Sequence, residues 1–471
     1  MSNTSSPARP SNSPRERAHL LGRALSSVRR TFSVRHLPFV PSAPADGLPL
    51  GAELERLVSD SIASHGGEIA ASARAARLGH LYAQSADREK AAFLLLLRER
   101  FGPNQERLDE RLRLALESAD ETAREDALQQ LRRALDPPRL TLFRRLSAMP
   151  EGIRFLVDLR ADVLRLRDEH PSLAVLDQEL KGLLSAWFDL GLLELRRIDW
   201  NAPAALLEQV IAHEAVHAIR SWDDLRNRLD GDRRVYALFH PSISQMPLIF
   251  LEVALVRGLA SSVQELLDEQ SAPLDPRHAD TAVFYSISNA LRGLDGISFG
   301  RYLIARVLEL LSAELPNLKT FATLSPLPGF RAWLDAFAGD PESQAALHEV
   351  LGSSIDPVAV ADALNANQSV DDADLERLAA YYLTHARGRG ARALDPVAHF
   401  HLGNGARIAR INRQADTSPR GLHQSAALMV NYRYVPDDLA LNLDAYASDG
   451  IIPLDPAIRR LLRPIGAPVQ G

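Results

Sequence analysis

The spacing of apolar residues changes close to residue 200 of this 471-residue chain. Between residues 52 and 197, apolar side chains recur at intervals of three, four and seven positions. This is the spacing of amphipathic helices that pack against one another. In residues 105–116, for example, Leu108, Leu112 and Leu116 follow one another at intervals of four residues. The first half of the chain therefore predicts a bundle of helices, the last of them over residues 173–195.

Beyond residue 199 the pattern changes to short runs rich in β-branched and aromatic residues, which is typical of strands. The predicted strands are residues 234–239, 248–256, 281–288 and 319–324. Helical segments lie between and after them, for example residues 300–315 and 374–387. Strands interleaved with helices indicate an α/β domain. The predicted fold class is therefore α+β and multi-domain: a disordered Ser/Pro/Arg-rich tail over 1–48, an all-helical packing or oligomerisation domain over 49–197 and an α/β domain over 198–471.

Composition excludes several classes of protein. The chain has no cysteine, which rules out disulfides, thiolate nucleophiles and cysteine-ligated metal sites. Its net charge of −6 disfavours a nucleic-acid-binding protein. No apolar run reaches the roughly 20 residues that a membrane-spanning helix needs. We therefore expect neither nucleic acid nor membrane among the partners.

The N-terminal tail admits two interpretations. It is rich in serine, proline and arginine and poor in acidic residues, a composition that resembles a mitochondrial transit peptide. It also fits a tail that cannot bury enough apolar surface to become ordered. The chain has only three lysines, Lys90, Lys181 and Lys319, so its arginine content indicates a GC-rich bacterial genome. This bias favours a cytoplasmic protein with a disordered tail over a mitochondrial one.

Residues 213–217 match the H-E-x-x-H pattern. On a helix, two histidines one turn apart can bind zinc while the glutamate acts as general base. However, no third ligand follows at a usable spacing. On a helix that runs through this point, Glu214 would share the face of Leu207 and Val210 and point toward packing. We therefore predict no metal, and interpret the histidines as polar groups at a helix end.

A glycine-rich loop follows the predicted strand 281–288. Gly293, Gly296 and Gly300 precede an amphipathic helix. Glycines let a ligand approach the backbone closely, and the free N–H groups of a helix N-terminus bind phosphate. The arrangement predicts a pyrophosphate site, and it equally fits a surface loop with a helix cap.

Four segments of the second half, in this order, resemble motifs of the malonyl-CoA decarboxylase family. They are residues 214–225 (EAVH with WDDL), 284–288 (FYSIS), 324–330 (LSPLPGF) and 396–434, which includes PVAHFHLGNGA, RIN and NYRY. The resemblance extends over roughly residues 198–450, and over the helical half by pattern. It implies a catalytic domain with the GNAT acyltransferase fold, in which the glycine-rich loop holds coenzyme A.

The resemblance also implies site residues. Ser325 and His401 would form the catalytic pair, with His401 as the proton donor. The positions that would contact substrate or coenzyme are Asp295, Gly296, Ile297, Ser298, Phe299, Gly300, Arg301, Ser286, Asn404 and Tyr434. Animal members carry a glutamate where this chain has Ser298, so no catalytic carboxylate is implied at that position.

Local signals are compatible with these two catalytic residues. Pro326 holds Ser325 in an extended conformation. Asp395 and Pro396 predict the start of the helix that carries His401. His399 lies two residues away and should face a different side of that helix. By themselves, these signals fit a turn serine and a structural histidine equally well.

The implied reaction converts malonyl-CoA to acetyl-CoA and CO2. Loss of CO2 leaves an enolate whose charge the thioester carbonyl accepts, so no cofactor is required. The site needs a donor for the developing oxyanion and an acid for the carbon. A hydroxyl and an imidazole, with an ordinary pKa of about 6.5, are suitable groups.

The expected partners are malonyl-CoA and acetyl-CoA, and by resemblance the expected assembly is a homotetramer. The absence of cysteine excludes disulfide links between its subunits. Two alternatives stay open at this point. One is a GNAT-type acyltransferase that uses the same coenzyme site, and the other is a helical interaction protein with an inactive α/β half.

Overall fold

The computed structural model describes residues 50–63, 67–118, 120–243 and 245–463. The tail predicted over residues 1–48 lies outside the described residues. The chain forms two compact units, the first ending at Leu180 and the second beginning at Lys181. No helix in the described part of the chain is long and apolar enough to span a membrane.

The first unit is helical, as the apolar spacing predicts. Its described helices are α1 (Leu50–Ile62), α2 (Gly67–Gln84), α3 (Asp87–Arg100), α4 (Gln105–Glu117), α5 (Glu121–Leu135), α6 (Pro138–Ser147), α7 (Gly152–Leu166) and the first part of α8 (Ala174–Trp187). Their apolar stripes form the core, in which Val58, Leu94, Phe143 and Leu156 are fully buried. Burial of these faces drives the helices together.

Buried arginines connect the helices of this unit. Arg139, which is 1% exposed, donates from two guanidinium nitrogens to the Glu179 carboxylate at 2.6 Å each. The same guanidinium donates to the backbone carbonyls of Leu97 and Arg98 at 3.3 Å. A planar guanidinium suits such bidentate contacts. Arg139 thereby ties α6 to α3 and α8.

The second unit is built on a mixed sheet. Its described strands are β1 (Glu194–Ile198), β2 (Arg233–Phe239), β3 (Ile249–Val256), β4 (Thr281–Asn289), β5 (Thr320–Thr323), β6 (Ser325–Pro326), β7 (Arg407–Asn412) and β8 (Met429–Tyr434). The spatial order is β1-β2-β3-β4-β5-β8-β6, and β7 also pairs with β8. Among these strands β4 and β5 are parallel, and the other neighbours are antiparallel. Strands β2, β3 and β4 are buried along almost their whole length.

Helices accompany this sheet. They are α9 (Ala204–His213), α10 (Trp222–Arg228), α11 (Val263–Leu266), α12 (Phe299–Glu314), α13 (Phe330–Ala338), α14 (Pro341–Leu351), α15 (Pro357–Asn365), α16 (Asp372–His385), α17 (Pro396–Leu402), α18 (Pro419–Ser425), α19 (Leu439–Asp449) and α20 (Pro456–Leu461). Several begin with an Asp or Ser whose side chain accepts a first-turn N–H, including Asp356, Asp371, Asp395 and Ser418. Such caps satisfy backbone donors that have no partner within the helix.

The strands predicted from the sequence correspond to β2, β3, β4 and β5, with bounds that differ by at most one residue at either end. One prediction was wrong: the helix expected over residues 173–195 ends at Trp187. The chain then turns at Asp189 and forms β1, paired along its length with β2. The helix-compatible sequence of β1 adopts a strand because β2 offers it a hydrogen-bonding edge. The domain boundaries and the oligomerisation role of the helical half stay predictions.

Replacing Arg139 by methionine should destabilise the first unit. The change keeps the apolar stem but leaves the Glu179 carboxylate and two carbonyls without their donor. We expect the free energy of unfolding to fall by about 3 kcal/mol. Urea unfolding followed by circular dichroism measures this.

The matched control is Arg100→Met. Arg100 lies 3.2 Å from Glu55, but their side chains are 67% and 37% exposed. Its replacement should cost less than about 1 kcal/mol, because water screens the pair. Equal losses in the two variants would contradict the role assigned to Arg139.

Candidate active site

The parallel pairing between β4 and β5 stops part-way along β4. The register runs from Thr281–Thr320 to Phe284–Thr323. Beyond that point β4 continues to Asn289 alongside β3. The segment that follows β5 instead enters β6 and pairs with β8. The two strands thus separate in the middle of the sheet, where backbone groups of β4 no longer pair with β5.

Ser325 and His401 meet beside this separation. Ser325 Oγ lies 3.0 Å from His401 Nε2 and 2.9 Å from Thr323 Oγ1. On the other side of the imidazole, Nδ1 lies 2.8 Å from the Tyr434 hydroxyl. Ser325 is 6% exposed and His401 is 4% exposed. The structure therefore brings together the serine and histidine that the resemblance implies, although they are 76 residues apart.

Helix α17 presents His401 to the site. Its N-cap is Asp395, whose carboxylate accepts the N–H groups of residues 397 and 398, and Pro396 is its first residue. The cap and first-turn proline follow the prediction from the sequence. The His401 ring stacks on Tyr432, with a centroid separation of 4.6 Å. His399 faces elsewhere, with Nδ1 lying 2.9 Å from the Tyr446 hydroxyl.

Burial determines the charge state of this cluster. It lowers the pKa of His401 to about 3, because an imidazolium at this position would lose its hydration. At neutral pH the ring is therefore uncharged, and the ordinary pKa assumed from the sequence does not apply. Burial also raises the pKa of Tyr434, while Asn404 beside the hydroxyl acts in the opposite direction. Tyr434 therefore stays protonated.

Ser286 lies on β4, two residues beyond the last residue that pairs with β5. Its Oγ lies 2.7 Å from both carboxylate oxygens of Glu214. Ser288 donates to the same carboxylate at 3.1 Å, and the backbone N–H groups of Val216 and His217 donate to it at 2.9 and 2.8 Å. Glu214 therefore ties the segment after α9 to the part of β4 that is not paired with β5.

The H-E-x-x-H segment does not form a helical zinc motif. Helix α9 ends at His213, and Glu214 has an extended backbone, so the two histidines are not one helical turn apart. His213 Nε2 lies 3.1 Å from Gln209 Oε1. Burial is the main cause that lowers the pKa of His217 to about 4. In the described residues, no group of three or more His, Asp or Glu side chains is placed to hold a metal ion.

The glycine-rich loop connects β4 to α12, as predicted. Gly296 has a φ of +75°, a conformation that favours glycine. A Cβ at this position would lie 3.1 Å from Lys181 Nζ. At Gly300 a Cβ would lie 2.4 Å from the Phe400 ring, so this glycine makes room for the neighbour of His401.

The remaining residues of this loop differ in their exposure and in their contacts. Asp295 accepts a hydrogen bond from Asn289 at 3.1 Å. Ile297 is half-buried, and Ser298 and Arg301 are exposed at the start of α12. Phe299 is 1% exposed and packs against Phe188, so its side chain belongs to the core.

Sequence reasoning missed three residues of this site, Thr323, Tyr432 and Lys181, and it missed the structural use of Glu214. Thr323 could have been found from strand periodicity, because a hydroxyl two residues before Ser325 shares its face of the sheet. The others become neighbours of the site through distant parts of the chain, and the sequence carries no local signal of this.

Comparison with known proteins identifies the family. The family profile described as malonyl-CoA decarboxylase C-terminal domain matches residues 191–470, and that of the N-terminal domain matches residues 101–188. The chain belongs to the malonyl-CoA decarboxylase family. The family predicted from the sequence is thereby confirmed.

Individual members of the family are similar over most of their length. The mitochondrial malonyl-CoA decarboxylase of Anser anser anser is 36% identical over 386 residues, which cover 76% of each chain. That of Rattus norvegicus is 34% identical over 444 residues, which cover 86% of each chain.

Solved structures of family members extend the comparison to the fold. The crystal structure of malonyl-CoA decarboxylase from Rhodopseudomonas palustris matches with a TM-score of 0.76 at 40% identity, covering 87% of this chain and 99% of that one. The enzyme from Agrobacterium vitis matches with a TM-score of 0.74 at 38% identity, covering 88% and 99%. These matches confirm the predicted fold class, a helical N-terminal region followed by a mixed-sheet domain.

Replacing His401 by asparagine should change how stability depends on pH. The unfolded chain binds a proton on this histidine at about pH 6.5, whereas the folded protein does so only at about pH 3. The contribution to stability is complete above pH 6.5 and is lost as the pH falls toward 3, by up to about 1.4 kcal/mol per pH unit.

Asparagine does not titrate, so the variant should lose less stability than the wild type between pH 7 and pH 5, by about 2 kcal/mol. Urea unfolding at the two pH values measures this difference. An equal loss in both proteins would show that His401 is not buried as a neutral ring.

Proposed function

We propose that this protein is a malonyl-CoA decarboxylase, which converts malonyl-CoA to acetyl-CoA and CO2. One observation supports the assignment above all others: Ser325, His401 and Tyr434 form a buried hydrogen-bonded chain where β4 and β5 separate. Family membership supports the identity of the substrate. The alternative, an acyltransferase, needs an acceptor for the acyl group, whereas a decarboxylase needs none. Membership in this family does not favour the transferase.

The reaction breaks the bond between the carboxylate carbon and the carbon next to the thioester. The electron pair of that bond remains on the substrate as an enolate, and its charge develops on the thioester oxygen. A proton then forms the new C–H bond of acetyl-CoA, and one solvent proton is consumed per turnover. Because the thioester accepts the electrons, we propose that the enzyme requires no cofactor.

In this proposal His401 gives the proton to the enolate carbon. A neutral imidazole is sufficient, because an enolate carbon is a stronger base than the imidazolate that loss of the ring proton would leave. The Tyr434 hydroxyl, 2.8 Å from Nδ1, can pass a proton to the ring as Nε2 loses its own. The ring then avoids both the cationic and the anionic form inside a buried site, and solvent restores the proton of Tyr434.

Ser325 orients the imidazole and the substrate. Its Oγ, 3.0 Å from Nε2, keeps the ring directed toward the strand separation. If the coenzyme enters between the strands, Ser325, which begins β6 just beyond the end of β5, would meet the thioester. Ser286 and Asn404 complete the polar surroundings: Glu214 holds Ser286, and Asn404 lies beside Tyr434.

The coenzyme would lie along the loop from Asp295 to Arg301. The N-terminus of α12 supplies a partial positive charge for the pyrophosphate, and Gly296 lets the backbone approach it. Of the loop residues, Phe299 and Gly300 would act through packing rather than by contact with the ligand. The homotetramer and a cytoplasmic location are further proposals, which rest on the resemblance and on the composition.

Purified protein should convert malonyl-CoA to acetyl-CoA and CO2 without an added cofactor or acceptor. Chromatography of the coenzyme A esters and trapping of released CO2 measure both products. Activity should persist in a metal chelator, since the proposed steps involve only the substrate and protein side chains. Turnover of acetyl-CoA that depends on an added amine, with no CO2 released, would instead identify an acyltransferase.

His401→Asn should lower the turnover number by about 10²–10⁴-fold, because a positioned proton donor contributes that order of rate. Coenzyme binding should survive, since the loop and α12 hold the phosphates independently. The matched control is His399→Asn, two residues away on the same helix, which should leave the turnover number nearly unchanged. If both variants lose activity together with thermal stability, the histidine is structural and the mechanism is wrong.

A further inference from the structure

Thr323 occupies the junction of the strands that form the site. It is the last residue of β5 and is fully buried. Its Oγ1 accepts the Tyr432 backbone N–H at 3.1 Å and the Ser325 hydroxyl at 2.9 Å. A hydroxyl oxygen has two acceptor sites. Both sites on Thr323 are therefore occupied.

A gap in the sheet explains why a backbone N–H reaches this side chain. Strand β8 pairs with β5 at Phe321–Tyr434 and Ala322–Arg433, and with β6 from Ser325–Val430 onward. Tyr432 lies between these two stretches, and its N–H donates to the Thr323 side chain. A second contact from β8 reaches the same threonine: Asn431 Nδ2 donates to the Thr323 carbonyl at 2.7 Å. Thr323 is thus held in place from β8.

The direction of one hydrogen bond determines the direction of the next. A serine hydroxyl has a single proton, and here that proton is donated to Thr323. Toward His401, Ser325 Oγ can then only accept, so Nε2 must carry the ring proton. In a neutral imidazole the other nitrogen is an acceptor, so Nδ1 accepts the Tyr434 hydroxyl at 2.8 Å.

We propose that Thr323 is a positioning residue: by accepting the hydroxyl proton of Ser325, it keeps the proton of His401 on Nε2, the nitrogen that faces Ser325. Without this acceptor the serine proton turns to Nε2 and the chain reverses, so that Nδ1 becomes protonated and donates to Tyr434. The tautomer itself follows from the hydrogen bonds alone. Its effect on turnover rests on the function proposed above.

The test compares Thr323→Val with Thr323→Ser. Valine has nearly the same shape but no acceptor, whereas serine keeps the hydroxyl. Protein labelled with ¹⁵N at its 14 histidines gives the tautomer of each ring from long-range ¹H–¹⁵N spectra at neutral pH. The signal that is missing from His401→Gln identifies His401. The turnover number and KM for malonyl-CoA are measured on the same proteins.

We expect the proton on Nε2 in the wild type and in Thr323→Ser, and a shift to Nδ1 in Thr323→Val. The turnover number of Thr323→Val should fall by about 10- to 10⁴-fold with little change in KM, the upper value being the loss that a wrong histidine tautomer causes in serine protease triads. Loss of stability alone would not move the tautomer of a folded variant.

Three results would overturn the proposal: a wild-type proton on Nδ1, an unchanged tautomer in Thr323→Val, or equal behaviour of the serine and valine variants. If the valine variant does not fold, the wild-type spectrum decides, since a proton on Nε2 supports the proposal and one on Nδ1 overturns it. A protein with the expected tautomers but no decarboxylation would support the role of Thr323 and refute the proposed function. An active enzyme with its proton on Nδ1 would refute only the role of Thr323.

Discussion

The end of the pairing between β4 and β5, after Phe284 and Thr323, is the constraint on which the site depends. A continuous sheet would have no space at its centre, and its backbone groups would all be occupied. Because the two strands separate, β8 takes over the pairing: it contacts β5 with its last residues and β6 with its first. This change of partner brings Tyr432 and Tyr434 to the same point as Ser325. Tyr432 stacks on the His401 ring, and the Tyr434 hydroxyl contacts its Nδ1.

A buried polar cluster is stable only if its members satisfy one another. Thr323, Ser325, His401 and Tyr434 do so through one continuous chain of hydrogen bonds, and burial keeps both the imidazole and the phenol uncharged. Neutrality matters because an isolated charge at this depth would be costly. It also changes the chemistry, because a neutral ring carries a proton on only one nitrogen, and the tautomer determines which nitrogen can donate.

The H-E-x-x-H segment shows how a short pattern can mislead. The pattern has meaning only on a continuous helix, and here α9 ends at its first histidine. The glutamate that would act as a base in a zinc enzyme instead holds Ser286 and Ser288 on β4. Its carboxylate has a structural task at the edge of the strand separation.

The sequence by itself determined the features that arise locally: the helical first half, strands β2 to β5, the capped start of α17, and the motifs that identify the family. Only the tertiary structure decided the features that depend on distant residues. Strand β1 exists because β2 lies beside it, and Gly300 is required because Phe400 packs against it. The pKa of His401 and the contact of its ring with Ser325 arise from burial among strands far apart in the chain. Apolar spacing and capping act over a few residues, whereas desolvation and strand pairing depend on which segments become neighbours after folding.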